Sequence, residues 1–534
     1  MEKKKTKSFA WLIVLALIFV GTFLRVRVAA DLPYDGDEAI AGLMARNIAF
    51  QGESPIFLYG EHYVGAAMQY VVALLFKVFG FKPSLLRCPE YLLTAVFLFL
   101  GFILGRKTCS AAAGLWTLLL LAAPPIFLTV MNLKSWGDYN ETYCLGGFLW
   151  WLTLVLTGGK SLSCWKCLIG YLFWGLAFGL GFWIHFPILI YTAPCGLWLL
   201  LFAAPGKWIV RWSCLVLGFF IGWGPALWYN ITNDFANLGY ASKGSWDYLT
   251  RIENSARQLT RLIEDGIPFL LCVESRNARF IEFHLFDPLF AKVAVLTGFA
   301  FLSLLCLYHL EKGLAAFFSR REDDDQLDEP KRPPDSILPL AMIVLVIAFA
   351  MYGRWGGGTF TPRYYSFAYL PLFVIAGHGL AWCAKRFYLA TALWVAFFLY
   401  SNLYGHVTFI NHPPMKTAEK LVSFLKGQKI PAVFTDYWIA HNVTFLTNER
   451  IIGSVHGGPT RHERYTRYTQ IAEEAEEAAF ALYNDHSAGV DQILRTELGR
   501  LGVGYEETAV DNIAVFYNLT RKVNPDEINL FYNY

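Results

Sequence analysis

The sequence predicts a polytopic α-helical membrane protein with a small α/β domain at its C-terminus, on three observations. The 534 residues are 55% hydrophobic and 17% aromatic, only 16% are charged, and mean hydropathy is +0.39; soluble domains carry about 25% charge. Apolar runs long enough to cross a bilayer recur up to about residue 410, with basic residues in every second connection. From about Asn411 such runs stop, charge rises, and short helix and strand patterns alternate. The net charge of +3 gives no indication of a nucleic-acid partner. Ten cysteines show no paired metal-ligand spacing, and the single CxxC, Cys164-Trp-Lys-Cys167, is read as incidental.

Met1 to Lys7 is lysine-rich and precedes an apolar run from about Phe9 to Ala30. That run is too long for the core of a signal peptide, and Arg25 and Arg27 stand where a cleavage site would lie. It reads as an uncleaved first span with its lysines in the cytoplasm. Further spans are predicted at 90–105, 111–130, 142–158, 168–185, 187–204, 212–229, 291–310, 337–352, 363–381 and 388–406, about 11 in all. Arg106-Lys107, Lys160 to Lys166, Lys207 to Arg211, Lys312 to Lys331 and Lys385-Arg386 then fall inside. The loops 31–89 and 230–290, Asn132 to Glu141 and Arg354 to Arg363 fall outside, together with the C-terminal domain 411–534. Val64 to Gly80 is apolar enough to span, but spanning would turn every later basic loop outward. It is expected to be a re-entrant or interfacial helix.

Ser319 to Pro334 mixes charge and proline as a flexible cytoplasmic linker does, and its acidic triplet is read as solvated. In the C-terminal domain, helices are predicted at 418–425, 439–446 and 489–501, and strands at 432–435, 479–483 and 512–517. Asn140, Asn442 and Asn518 begin glycosylation sequons.

The chemistry-bearing residues gather in the predicted outer loops. Asp35, Asp37, Glu38 and Glu61 occupy the first, and Asp138 and Glu141 the second. Carboxylates at a membrane face are costly to desolvate, which points to function. Such a group can act as a general base. Asp37, Asp138 and Glu141 are also candidates for a hard divalent cation, which the sequence permits but does not require. The competing structural reading is helix capping, by Asp37 for a helix over 39–50 and by Asp138 in its own loop. Arg87, Arg354 and Arg363 lie at the same predicted face, and arginine offers a phosphate two parallel hydrogen bonds; snorkelling to lipid is the alternative. Gly356-Gly-Gly358 is flexible but matches no nucleotide-loop spacing. Acids and arginines at one face suit sugar transfer from a lipid phosphate, whose leaving group has a second pKa of about 6.

Asp37-Glu38-Ala, Ala45-Arg-Asn-Ile, Tyr59-Gly-Glu61-His, Phe79-Gly-Phe and Leu86-Arg87-Cys-Pro, in that order, resemble the first third of C-type (GT-C) glycosyltransferases. The similarity is to the protein O-mannosyltransferase and lipid A aminoarabinose transferase group. Arg363-Tyr364-Tyr365 followed by Leu370-Pro371 resembles a later element of the same group. The resemblance implies a GT-C fold, Asp37 as catalytic base beside Glu38, and Glu61 lining the donor phosphate site. His62, Arg87, Asp138, Arg354, Arg363 and Tyr364 complete the expected substrate-binding set. His62 stands where Lys-Pro is common and Cys88 where Leu is usual. A Trp-Trp-Asp motif like that of oligosaccharyltransferases is absent from the sequence.

The expected activity is therefore transfer of a sugar from a polyprenyl-phosphate donor to a glycan, lipid or protein hydroxyl on the outer face, with inversion. The expected location is the bacterial plasma (inner) membrane. The rival reading, a transporter or flippase of a lipid-linked substrate, would place charges near the middle of spans; here the acids fall in loops.

Overall fold

The computed structural model describes residues 2–158, 164–203, 207–242, 257, 259–271, 337–352, 362–456, 463–484 and 489–528, with isolated positions at 298, 300, 311 and 335. The predicted span 291–310, the linker 319–334 and Arg354 lie outside the described residues, apart from those isolated positions. The chain divides into two compact units. One holds Met1–Asp31, Glu90–Lys134 and Asp138–Pro413; the other holds Leu32–Pro89, Ser135–Gly137 and Pro414–Tyr534.

The first unit is helical. Among the described residues, six helices are long and apolar enough to cross a membrane: Ala10–Asp31, Pro83–Thr108, Trp165–Ile184, Trp208–Thr232, Arg363–Cys383 and Tyr388–Asn411. Ala111–Ala122, Phe186–Phe202 and Ile337–Phe349 are apolar but shorter. The predicted span 111–130 is interrupted: one helix ends at Ala122 and another runs Ile126–Met131. Pro124-Pro125 breaks it, because proline cannot donate the helical hydrogen bond and clashes with the preceding turn. Large apolar side chains stay exposed on the spans, among them Phe19, Leu92 and Ile209, as a lipid-facing surface requires.

Arg25 sits inside the first of these helices and is fully buried. It donates to the carbonyls of Leu121 and Ala122 at 2.9 and 3.0 Å, and to Asn132 Oδ1 at 3.3 Å. Those carbonyls end the Ala111 helix, where backbone acceptors lack intrahelical donors. Asn132 in turn donates to Asn140 Oδ1, and Asn140 donates to Glu90 Oε2 at 2.8 Å. The intraspan charge thus serves a helix terminus and a polar network.

The second unit joins the first polar loop to the C-terminal residues in one core. A five-stranded sheet runs in the order β2-β1-β3-β5-β4, with β1 Ala432–Thr435, β2 Ile452–Val455, β3 Ala478–Tyr483, β4 Glu506–Val510 and β5 Ile513–Tyr517. β1 is parallel to β2 and β3, while β5 is antiparallel to β3 and β4. Helices Thr417–Gln428, Tyr437–Leu446, Thr466–Glu474 and Val490–Arg500 complete the α/β domain. β2, β4 and the Thr466 helix were not anticipated from the sequence.

Helix Gly36–Phe50 is buried on nearly every side. Its small residues Ala39, Ala41, Gly42 and Ala45 make that possible, because a Cβ on Gly42 would come within 2.4 Å of the Phe445 ring on the Tyr437 helix. Helix Ala67–Phe79 has 13 residues, a length of about 20 Å against the roughly 30 Å of a hydrocarbon core. It buries Val72, Ala73 and Phe76 but exposes Val71, Leu74, Val78 and Phe79. That pattern suits a helix lying in an interface. Asn140 and Asn442 are buried, so neither sequon is open to a glycan in the folded protein; Asn518 is exposed.

Candidate active site

The first polar loop delivers its acids in three different ways. Asp35, not Asp37, caps the Gly36 helix: its Oδ1 accepts the Glu38 N–H at 2.8 Å. It also accepts from the Trp136 indole at 3.0 and 3.1 Å. Asp37 lies in the first helical turn with its carboxylate left for other partners. Glu38 turns inward, fully buried, and takes a bidentate pair from Arg87, with Nε and Nη2 each at 2.8 Å. Arg87 Nη1 and Nη2 also donate to the carbonyls of Leu32 and Pro33 at 2.7 and 3.0 Å, and the guanidinium lies 4.3 Å from the Tyr34 ring centre. Glu38 and Arg87 together pin the loop backbone to the start of the Pro83 helix.

Asp37 meets two residues from more than 390 positions later in the chain. Its Oδ1 accepts the Tyr437 hydroxyl at 2.6 Å and Arg464 Nη2 at 3.2 Å. Arg464 Nε donates to the Tyr437 oxygen at 2.9 Å, and Arg464 Nη1 pairs with Glu61 Oε1. Burial, reinforced by the Asp37 charge, pushes the Tyr437 phenol well above its ordinary range, so it stays protonated and donates at neutral pH. The Asp37, Glu61 and Arg464 side chains are 10–19% exposed, and Tyr437 is buried.

The fold explains the convergence. Asp436 follows β1 and caps the next helix by accepting the Trp438 N–H, which puts Tyr437 just past the carboxyl end of a parallel strand. Arg464 follows β2 and precedes the Thr466 helix. Carboxyl ends of parallel strands are the usual place for ligands in open α/β sheets. Gly60, between Tyr59 and Glu61, has φ +69°, and a Cβ there would lie 2.9 Å from the Arg464 Cα. Tyr59 stacks on Tyr465 at 4.6 Å, and Glu53 accepts from both hydroxyls. The backbone on either side of Arg464 is thereby held against the loop.

A second cluster lies in the helical unit. Asp138 caps helix Tyr139–Leu156, accepting the Tyr139 N–H at 2.8 Å, and its other oxygen is 3.8 Å from His185 Nε2. The rings of Tyr139, His185 and Phe367 pack at 5.3–5.9 Å between centres. Arg363 opens the Arg363–Cys383 helix, acts electrostatically on His185 and Tyr139, and lies 5.4 Å from the Tyr364 ring centre. Asp138, Arg363 and Tyr364 therefore belong to one neighbourhood. His62 is exposed on its loop. Both Glu141 carboxylate oxygens are buried without a hydrogen-bond partner among the described residues. Among the described residues, no three His, Cys, Asp or Glu side chains are grouped to hold a metal ion, so Asp37, Asp138 and Glu141 do not form such a set.

Sequence reasoning missed Tyr437, Arg464 and His185. A strand-turn-acid pattern at Thr435-Asp436 and the lone histidine before Pro187 between two apolar runs were the available signals.

Comparison with solved structures supports this architecture. ArnT from Cupriavidus metallidurans bound to undecaprenyl phosphate aligns with a TM-score of 0.60 at 13% identity, over 96% of this chain and 99% of ArnT. The apo state of the same protein gives 0.61 at 13% identity, over 97% and 100%. The archaeal oligosaccharyltransferase AglB from Archaeoglobus fulgidus, in complex with an inhibitory peptide and a dolichol-phosphate, gives 0.51 at 11% identity, over 96% of this chain and 75% of AglB. No protein-family model and no curated protein matches the chain. The likeness is one of fold.

Proposed function

We propose that this chain, a GT-C-fold membrane protein, transfers a sugar from a polyprenyl-phosphate donor to an acceptor hydroxyl on the outer face of the membrane. The observation that carries the reading is the state of Asp37. It is relieved of helix capping by Asp35, and its hydrogen bonds within the described residues fall on Oδ1, beside Glu61 and a guanidinium. A carboxylate held by one oxygen keeps the other, Oδ2, for a proton. The acceptor hydroxyl gives that proton to Asp37 as its oxygen attacks the anomeric carbon. The bond from that carbon to the donor phosphate oxygen breaks, polyprenyl phosphate departs, and the anomeric configuration inverts. A phosphate leaving group with a second pKa of about 6 needs little protonation.

Glu38 and Arg87 act as the clip that shapes the loop, since Arg87 spends its nitrogens on Glu38 and two carbonyls. Arg363, at the end of a span and beside Tyr364, is the remaining candidate for contact with a lipid phosphate. The N-terminus is cytoplasmic and the C-terminal domain lies outside, in a plasma membrane of the bacterial type. Buried Arg25 serves helix carbonyls, which gives the flippase reading no support.

The test is a transfer assay on the purified protein in lipid nanodiscs. The donors are undecaprenyl phosphates carrying glucose, mannose, galactose or 4-amino-4-deoxyarabinose, with product formation read by mass spectrometry. Release of undecaprenyl phosphate with glycosylated product supports the reading. Movement of intact donor between leaflets without cleavage would replace it with transport.

A further inference from the structure

The pair Asp37 and Glu61 has the chemistry of a divalent-cation site: two carboxylates converging on one point, 19% and 11% exposed. The point is already taken. Arg464 reaches both acids with separate nitrogens, and its third nitrogen, Nε, holds the Tyr437 oxygen that itself donates to Asp37. A metal ion bridging these oxygens would have to displace the guanidinium. Arg464 is not a surface side chain resting there by chance. It is 10% exposed, its Cα packs against Gly60 at a distance no Cβ would tolerate, and the next residue stacks on Tyr59.

We infer that Arg464 is the resident cation of this site, a positioning residue that, with Tyr437, fixes Asp37 Oδ1 and ties it to Glu61 in the place a divalent ion would otherwise occupy. Arg464 sets one guanidinium charge against the two carboxylates of Asp37 and Glu61. Two donors on the same oxygen restrain rotation of the carboxylate and leave Oδ2 outside both hydrogen bonds. The inference rests on the reading of Asp37 as base, and it adds that the C-terminal α/β domain supplies part of the machinery.

The test has one readout independent of turnover. Metal-stripped full-length protein is titrated with Mn²⁺ and binding is followed by electron paramagnetic resonance. Wild type should show no site that Glu61→Gln abolishes. Arg464→Gln should gain one, with affinity for Mn²⁺ rising at least about tenfold because two carboxylates are released, and Glu61→Gln in that background should remove it. Mn²⁺ bound by wild type and lost in Glu61→Gln would overturn the inference, and this arm stands even if Arg464→Gln does not fold.

The second readout is kinetic. Chelated wild type should keep its turnover. Tyr437→Phe should lower kcat by about tenfold and Arg464→Gln by about a hundredfold, with donor KM within about threefold, because a misplaced base costs rate rather than binding. Arg464→Lys, which keeps the charge, should recover part of kcat. Wild-type kcat in Arg464→Gln, or chelation that stops turnover until Mg²⁺ or Mn²⁺ is returned, would overturn the assignment of Arg464. Wild-type kcat in Asp37→Asn would instead overturn the reading of Asp37 on which it rests.

Discussion

Replacing Arg87 by leucine should unfold the loop that carries the proposed base. The side chains of Arg87 and Glu38 are 3% and 0% exposed, and two charge-assisted bonds of 2.8 Å join them. Removing one member strands the other charge in a desolvated place, which costs about 3–5 kcal/mol. The carbonyls of Leu32 and Pro33 lose donors at the same time. At about 2–4 °C per kcal/mol for a unit of this size, the unfolding midpoint should fall by about 6–20 °C. The assay is thermal unfolding of the purified protein in nanodiscs, followed by near-ultraviolet circular dichroism. The double substitution of Glu38 and Arg87 by leucine should recover more than half of the loss, because no unpaired charge remains. A midpoint shift under 2 °C in Arg87→Leu, or a double variant as unstable as the sum of the singles, would refute the clip.

Gly60→Ala should destabilise the loop by about 1–3 kcal/mol, since it forces a side chain to φ +69° and against the Arg464 Cα; limited proteolysis of the 51–66 loop checks it, and unchanged protection would count against the contact. Burial of His456 holds its imidazole below the ordinary 6.5, against a smaller opposing pull from Asp526. Its contribution to stability is complete above 6.5 and declines as pH falls from there through the lower folded value, because the unfolded chain takes up the proton more readily. His456→Gln should therefore lose less stability than wild type between pH 7.5 and 5.5 by thermal unfolding, and parallel losses in the two proteins would remove His456 as the cause.

The long apolar helices were legible because the length and composition of a span are local properties, and the resemblance to GT-C enzymes was carried chiefly by motifs within 31–107. The predicted strands 432–435 and 479–483 also match the structure, since β1 and β3 are continuous apolar runs buried on both faces. β4 was illegible for the opposite reason. Glu-Glu-Thr-Ala-Val is an exposed edge strand whose polar residues guard against pairing with other chains. β2, Ile-Gly-Ser-Val, is an edge strand with little apolar signal; its Gly453 is needed because a Cβ would meet the Ala440 carbonyl at 2.2 Å. Asp37 and Glu61 were visible as acids in a loop, but their partners Tyr437 and Arg464 were not. Composition separates residues 32–89 from 414–534, and it is tertiary packing, such as Gly42 on Phe445 and Gly60 on Arg464, that brings them into one core. Asp37 was expected to cap a helix over 39–50; the helix starts three residues earlier, at Gly36, which gives the cap to Asp35.

Asp37→Asn tests the central claim most directly. Asparagine keeps the shape and can still accept the Tyr437 hydroxyl, but it lacks a basic oxygen. Turnover and undecaprenyl-phosphate binding should be measured on the same preparation of folded protein. Loss of a general base costs about 100- to 10,000-fold in rate, so the account predicts transfer reduced by that factor, with binding and unfolding midpoint close to wild type. Transfer at the wild-type rate in Asp37→Asn would contradict it.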